Sequence, residues 1–437
     1  MTDLRPFRGT HYNTSVINDI SQVICPPYDI ISPQLQQDLY QVNKNNFIRV
    51  EFNRELPQDT TEDNRYTRAS SALKEWLEKG ILVKDKEPTI YLYDQYFQYK
   101  GKEYRRRSII ADVKLEEWDN NIVRPHEGTL GGPKIDRINL IRACHGNTSS
   151  ILSLYHHPGN KISPLLDKIS LNKPLIECSS ADGDKHRIWA ITSKTIIELI
   201  QSGFSSQPVY IADGHHRYES ALAYKHEQES LLSSTSGDEP FNFVMMTLID
   251  VSDTGLLVLP PHRLVRGISK ANIESLLPKL DSFFYVTEMS LITPGIWQKT
   301  EDLLASGSCY ETLILFGLLP EKLSILTLKD ASAADKLMPF FHTDIYKKLI
   351  VSILDHVILE KLLEVDKNGR EQLIMDYSYD MQQAVNRVIT QEYQLAFLLS
   401  PIKVSVVKDI ADAGDRMPRK STYFYPKLPS GLIINKW

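Results

Sequence analysis

The sequence predicts an α+β fold with a mixed, α/β-like core. One observation is that strand-like and helix-like segments alternate between about residues 90 and 250. A second is that the chain is 42% hydrophobic and 24% charged, which is typical of soluble globular proteins. Its 437 residues suggest two or three domains, or one elaborated core. No stretch approaches the roughly 20 apolar residues that span a bilayer, and the net charge of −5 argues against a protein that coats nucleic acid. We therefore expect no membrane partner and no nucleic-acid partner.

The cysteines indicate the cellular compartment. Cys25, Cys144, Cys178 and Cys309 lie far apart and form no CxxC pair. A disulfide scaffold of this length would carry more cysteines, and a zinc ribbon would pair them closely. The first residues also lack the apolar core of a signal peptide. We expect four reduced, mostly buried thiols in a cytoplasmic protein.

The first predicted elements belong to an N-terminal region, residues 1–85. Prolines exclude a helix from the interior of residues 25–33. Ser32 and Pro33 are typical of an N-cap followed by the first helical residue. A second helix is predicted over 66–79, where apolar residues recur at helical spacing before Gly80.

A core is predicted over residues 86–260, and a C-terminal α+β region over 261–437. The core begins with a hairpin, 89–97 and 107–113, around a turn at 100–102. Further predicted core elements are a helix opened by Pro133, strands at 148–155, 208–212 and 241–249, and helices at 194–201 and near 218–222. The C-terminal region is predicted to hold several helices, a strand at 393–399, a helix at 404–413 and an aromatic-rich tail at 417–429.

The sharpest motif follows the predicted strand at 208–212. Asp213 ends that strand, Gly214 allows a turn, and His215, His216 and Arg217 open a helix. Helix N-termini present unpaired N–H groups and partial positive charge, and an arginine fork matches phosphate oxygens, so the motif favours a phosphate site. The alternative is that Asp213 caps the helix and the histidines bond locally. Adjacent histidines on a helix rarely face one ion, so no metal site is expected at this pair.

Two more segments carry polar chemistry. His126 and Glu127 place a carboxylate beside an imidazole on a loop, a pattern that suits a general base. The alternative is a solvated loop glutamate. Lys420, Ser421 and Thr422 offer charge and short hydrogen bonds to an anion. Their alternative is an extended surface tail.

The whole chain resembles a bacterial and archaeal family known as domain of unknown function 1015. The matching strings span nearly the full length and carry no established activity. They are residues 26–29, 126–129, 133–137, 212–218, 261–264 and 420–431.

A more remote resemblance is to the archaeal ADP-dependent free serine kinase of the ParB/sulfiredoxin superfamily. The shared order is Pro-His-Glu, a helix, a strand, Asp-Gly-His-His-Arg, and later Pro-x-Lys-[Ser/Thr]-Thr. The resemblance implies a ParB/sulfiredoxin-like domain elaborated by an N-terminal region and C-terminal helices. It also implies transfer of a phosphoryl group from a nucleotide to the hydroxyl of free L-serine, giving O-phosphoserine.

The same resemblance assigns roles to individual residues, and it requires that Glu127 and residues 213–217 share one cleft. The expected cofactors are ADP or ATP with Mg²⁺, the ion being held mostly by nucleotide and water because it prefers few protein carboxylates. The implied set comprises catalytic Glu127 and Asp213; phosphate-binding Gly214, His215, His216 and Arg217; and substrate-binding His126, Lys420, Ser421 and Thr422.

The chain also departs from the kinase. Tyr423 and Phe424 stand where the kinase has Arg-His, and they cannot grip a carboxylate as a charged pair could. The acceptor therefore stays open, as do the donor (ADP, ATP or pyrophosphate), the direction of reaction and the oligomeric state. Two other functions stay open: a non-catalytic nucleotide-binding regulator of the ParB-like superfamily, and a metal-dependent phosphatase acting on phosphoserine. The phosphatase would use the residues His126, Glu127, His215 and His216.

Overall fold

The computed structural model describes residues 2–129, 131–157, 159, 162–306, 310–365 and 374–437. Helices and strands are mixed along the chain, so the predicted α+β class is confirmed. The chain forms two compact units. Unit 1 consists of Met1–Pro125, Thr129–Leu257 and Pro426–Trp437, and unit 2 of His126–Gly128 and Val258–Tyr425. The predicted domain limits and the ParB/sulfiredoxin assignment stay predictions.

Unit 1 is organised around a mixed sheet with nine strands among the described residues. The parallel pairs join Val209–Asp213 to Val123–Arg124 and Ile151–Tyr155 to Phe243–Asp250, and the other pairs are antiparallel. The sheet order is Val123–Arg124, Val209–Asp213, Ile151–Tyr155, Phe243–Asp250, Lys102–Lys114, Ile90–Tyr99, Lys185–Ile191 and Ile176–Ser179, and Leu4–Arg5 also pairs with Lys102–Lys114.

Apolar side chains cover both faces of this sheet. Leu92 and Ile109 belong to one buried apolar cluster, whereas their neighbours Tyr91 and Ile110 belong to another. Successive side chains of a strand point to opposite faces, so the two clusters lie on the two sides of the sheet. The predicted hairpin is confirmed, with its turn at Lys100 and Gly101.

Helices surround the sheet of unit 1, and their ends follow the predicted local signals. Ser32 caps the first helix, its Oγ accepting from the backbone N–H of Leu35 at 3.2 Å. The helices are Pro33–Val42, Ile48–Glu51, Arg65–Glu78, Gly131–Cys144, Ser163–Ile169, Lys194–Phe204 and His215–Leu231, with 3₁₀ turns at Ile20–Gln22, Tyr28–Ile30, Trp118–Asn120 and Pro240–Asn242. Two small antiparallel pairs join Thr10–Tyr12 to Leu82–Lys84 and Gly146–Asn147 to Asn435–Lys436.

Unit 2 has an antiparallel sheet, with six strands in the part of it that the structure describes. Their order is Phe284–Ser290, Lys322–Leu328, Thr312–Phe316, Leu395–Leu398, His262–Arg266 and Ile374–Ser378. The helices are Lys270–Leu280, Ile296–Ser306, Ala331–Asp335, Asp344–Lys348, Ile350–Ile353, Met381–Ile389 and Val404–Asp412, with a π-helix at Leu354–Leu362. Short strands lie at Leu257–Leu259, where the chain passes from unit 1 into unit 2, and at Tyr423–Tyr425.

The helices and the cysteines bear on the predicted absence of a membrane span and on the predicted reduced thiols. Within the described ranges, every helix is too short or too polar to cross a bilayer. Cys25 and Cys144 are buried free thiols and Cys178 is a half-buried one, while Cys309 lies outside the described residues. Burial raises the pKa of Cys144 and of Cys178 to about 12, so these two thiols stay protonated near neutral pH.

Candidate active site

The predicted phosphate-binding turn lies in unit 1, between the strand Val209–Asp213 and the helix His215–Leu231. Gly214 occupies the N-cap position of that helix with φ 100°, a conformation that glycine adopts without steric cost. A Cβ at Gly214 would lie 2.9 Å from Nε of Arg217. The glycine therefore serves both the backbone turn and the packing of the guanidinium group over it.

Asp213 is held between two cations. Its Oδ2 accepts from Nη2 of Arg217 at 2.6 Å, and its Oδ1 accepts from the ammonium group of Lys427. All three side chains are less than one-fifth exposed. Burial alone would raise the pKa of the Asp213 carboxyl, but the charges of Lys427 and Arg217 outweigh it and hold that pKa well below its usual range. Asp213 is therefore anionic throughout the physiological pH range.

Lys427 is a residue of this cluster that the sequence reasoning did not select. It lies in the matching string at residues 420–431, and that string is the only sequence signal that could have marked it. Its contact with Asp213 joins positions 214 residues apart. A lysine ammonium is a compact cation that binds phosphate as a point charge, so its place at this turn favours an anionic ligand.

The guanidinium group of Arg217 is committed mainly to protein atoms. Nη1 donates to the backbone carbonyl of Ser150, and Nη2 donates to Asp213. Nε is buried and finds no hydrogen-bond partner among the described residues. His215 is buried and His216 half-buried in the same first turn. The turn thus combines a helix N-terminus with two cations around one carboxylate, an arrangement that suits anion binding.

A buried ion pair supports the segment that holds Arg217. Nη1 of Arg137 donates to Oε1 of Glu51 at 3.3 Å, and the Glu51 side chain is 0% exposed. Glu51 also accepts from Oγ of Ser149 at 3.1 Å. Ser149 is followed by Ser150, whose backbone carbonyl accepts from Arg217. The Glu51–Arg137 ion pair therefore fixes the backbone segment that orients Arg217.

The N-terminal region contributes Tyr28 to the same neighbourhood. The Tyr28 ring lies 4.0 Å from the guanidinium carbon of Arg137. Burial raises the pKa of Tyr28 to about 12, although the nearby charges of Arg217 and Arg137 lower it. Segments 26–29 and 133–137, which carried the family resemblance, therefore lie together in unit 1.

The predicted base lies in unit 2, with the predicted substrate residues. Oε1 of Glu127 accepts from the backbone N–H of Ser421 at 3.1 Å and from Oγ1 of Thr422 at 3.3 Å. Nε2 of His126 lies 3.0 Å from Oγ1 of Thr422 and 3.9 Å from Oε1 of Glu127. The backbone N–H of Met417 donates to the carbonyl of His126 at 2.8 Å, which joins the two segments.

Residues next to this cluster have either an uncommon backbone conformation or a packed aromatic side chain. Lys420 has a positive φ of 56°, which is uncommon for a residue with a side chain. The Phe424 ring is buried, with its centroid 6.1 Å from that of His126. The Tyr423 ring stacks on Tyr379 at 3.6 Å. Tyr423 and Phe424 are thus both packed against other aromatic rings.

The predicted site residues therefore form two groups, one in each unit. Each group is assembled within its own unit, and a shared cleft stays a prediction. Across the described ranges, no three His, Cys, Asp or Glu side chains are grouped so that they could hold a metal ion. The group in unit 1 is Asp213, Gly214, His215, His216 and Arg217, and the group in unit 2 is His126, Glu127, Lys420, Ser421 and Thr422.

Comparison with known proteins identifies the family. The model of the family described as "Protein of unknown function (DUF1015)" matches residues 4–349, and the chain belongs to that family. No curated protein matches the chain.

The solved structures that are similar to it include the following three. A conserved hypothetical protein from Pyrococcus furiosus has 14% identity and a TM-score of 0.37, covering 75% of this chain and 94% of its own. Free serine kinase in complex with AMP has 13% identity and a TM-score of 0.37, with coverages of 74% and 92%. A variant of that kinase in complex with ADP has 12% identity and a TM-score of 0.36, with the same coverages. At TM-scores this low, function has to be inferred from this chain's own residues.

Proposed function

We propose that this member of the DUF1015 family is a nucleotide-dependent phosphotransferase that phosphorylates the hydroxyl of a small metabolite such as free L-serine. The observation that carries the proposal is the contact of the Glu127 carboxylate with Ser421 and Thr422, which lie 294 and 295 positions further along the chain. Two motifs that resemble those of the kinase, and that no local signal connects, meet at one carboxylate.

Phosphoryl transfer depends mainly on alignment and on neutralisation of charge. In this proposal the first turn of the helix His215–Leu231 binds the donor phosphates through backbone N–H groups. Lys427 and Arg217 supply positive charge beside that turn. Mg²⁺, when bound with the nucleotide, would neutralise phosphate oxygens. The ion would be held mostly by the nucleotide and water, because both oxygens of Asp213 accept from Arg217 and Lys427.

Glu127 accepts the proton of the acceptor hydroxyl in this mechanism. Its side chain is 17% exposed, so it is reachable yet held in place. Hydrogen bonds from Ser421 and Thr422 orient Oε1, and the carboxylate takes the proton. A general base typically contributes about 10²–10⁴-fold, whereas alignment of the reactants can supply about 7–11 kcal/mol. Most of the acceleration therefore comes from positioning.

The test is to incubate the purified protein with Mg²⁺, free L-serine and, in turn, ADP, ATP and pyrophosphate. We expect O-phosphoserine, or a phosphorylated analogue from a panel of hydroxy compounds, by mass spectrometry. Nucleotide binding without any phosphorylated product would contradict transfer and favour the regulatory protein. Release of phosphate from phosphoserine by protein that carries stoichiometric Zn or Mn would favour the phosphatase.

A further inference from the structure

A groove in unit 1 lies between the helices Gly131–Cys144 and His215–Leu231. Its volume is about 580 Å³, within the range of small-molecule sites. Ile138, Leu222 and Ala223 provide apolar walls, and Trp118 adds an indole ring. Lys134 and Glu219 form an ion pair at 2.9 Å among the lining residues. The groove therefore combines flat apolar surface with a polar rim.

The helix that begins at the phosphate-binding turn also forms one wall of the groove. The helix that begins at His215 contributes Glu219, Leu222 and Ala223 to the groove. At 1.5 Å per residue, Ala223 lies about 12 Å along the helix axis from His215. Oγ of Ser220 lies 2.7 Å from the carbonyl oxygen of His216 and 3.0 Å from that of Lys134. This contact joins the first turn of the helix to the beginning of the other wall.

We infer that this groove holds the base and ribose of the nucleotide whose phosphates bind at the turn. The inference rests on the proposed function and adds the place of the nucleoside. A nucleoside needs apolar surface for its base and hydrogen-bonding groups for its ribose, and both line the groove. The Trp118 ring is positioned in advance by Tyr218, at 4.7 Å between ring centroids.

The decisive variant is Ala223→Phe, which fills the groove. Ala223 is exposed, so the larger side chain leaves the core intact. We expect the Kd for ADP and ATP, measured by calorimetry, to rise about tenfold or more, while the Kd for pyrophosphate stays unchanged. Ser230→Phe is the matched control: Ser230 is exposed on the same helix and, seven residues further on, lies on the same helix face beyond the groove. It should change neither constant.

A second measurement uses the indole ring directly. Nucleotide, but not pyrophosphate, should change tryptophan fluorescence, and Trp118→Phe should remove that change. If Ala223→Phe binds ADP and ATP as tightly as the wild type, the groove is not the nucleoside site. If wild-type protein binds pyrophosphate but neither nucleotide, the nucleoside site and the nucleotide dependence both fail. If Ala223→Phe weakens nucleotide binding while the wild-type protein forms no phosphorylated product, the groove stands and the phosphotransferase proposal fails.

Discussion

Glu127→Gln is the substitution that tests the proposed chemistry most directly. Glutamine keeps an Oε1 acceptor for the Ser421 N–H at 3.1 Å and for Oγ1 of Thr422 at 3.3 Å, so the local geometry should survive. An amide cannot take the proton of the acceptor hydroxyl. We expect single-turnover formation of phosphorylated product to slow by about 100-fold or more, which corresponds to about 2.7 kcal/mol of transition-state stabilisation. Nucleotide affinity should not change, because Glu127 is assigned to the acceptor.

The contrasting variant is Glu127→Ala, which removes both hydrogen bonds as well as the base. Hydrogen bonds to a charged group contribute about 1.5–3 kcal/mol, so Glu127→Ala should lower the free energy of unfolding, whereas Glu127→Gln should lower it much less. Urea denaturation distinguishes the two. Turnover of Glu127→Gln at a near-wild-type rate, with the variant folded, would refute the assignment of Glu127 as the base.

Three further predictions concern the turn. Asp213→Ala and Arg217→Ala should each abolish turnover, because each removes one partner of a nearly buried charge pair at 2.6 Å. A product assay at saturating nucleotide checks this, and measurable turnover in either variant would argue against a catalytic role of the turn. Lys427→Met should move the acid-unfolding midpoint to higher pH. The lowered pKa of Asp213 contributes folding stability that is present above the unfolded-state pKa of about 3.9 and is lost as the pH falls towards the folded-state pKa. Removal of the Lys427 cation raises the folded-state pKa, so less of this stability remains. A circular-dichroism titration in which the midpoint does not shift would contradict this. Gly214→Ala should destabilise the fold more than Gly237→Ala in urea denaturation. Both glycines have positive φ, so each alanine costs about 1–2 kcal/mol of folding free energy. Only at Gly214 does the new Cβ also meet Arg217. Equal losses of folding free energy in the two variants would show that this contact is unimportant.

Elements with local end signals were predicted well. The helix Arg65–Glu78 agrees with the predicted 66–79, and Val404–Asp412 agrees with 404–413. Prediction was poorer between residues 284 and 378, where helices were expected and the described residues also form four strands. Thr312–Phe316, for example, is buried along its whole length, so its sequence shows no alternation. A short apolar run of this kind does not distinguish a buried strand from a buried helix.

The candidate site also combines features that the local sequence predicted with features that it did not. The turn at Asp213 and Gly214 was predicted because a strand end, a glycine and a helix start are adjacent in sequence, and the structure has all three. The role of Lys427 was missed because an ion pair across 214 positions leaves no local pattern. The contact of Glu127 with Thr422 is equally non-local. The family resemblance assigned both residues to one site, but it did not predict this contact.

Composition, periodicity and helix-capping residues were enough to establish the α+β class, the hairpin and the turn, because backbone sterics and side-chain burial act over a few neighbouring residues. Folding was needed to show which distant groups meet. The Lys427 ammonium meets Asp213, the Ser421 backbone N–H meets Glu127, and two helices enclose a groove. Those contacts depend on strand order and packing, which arise from the free energy of the whole chain and from no single segment of it.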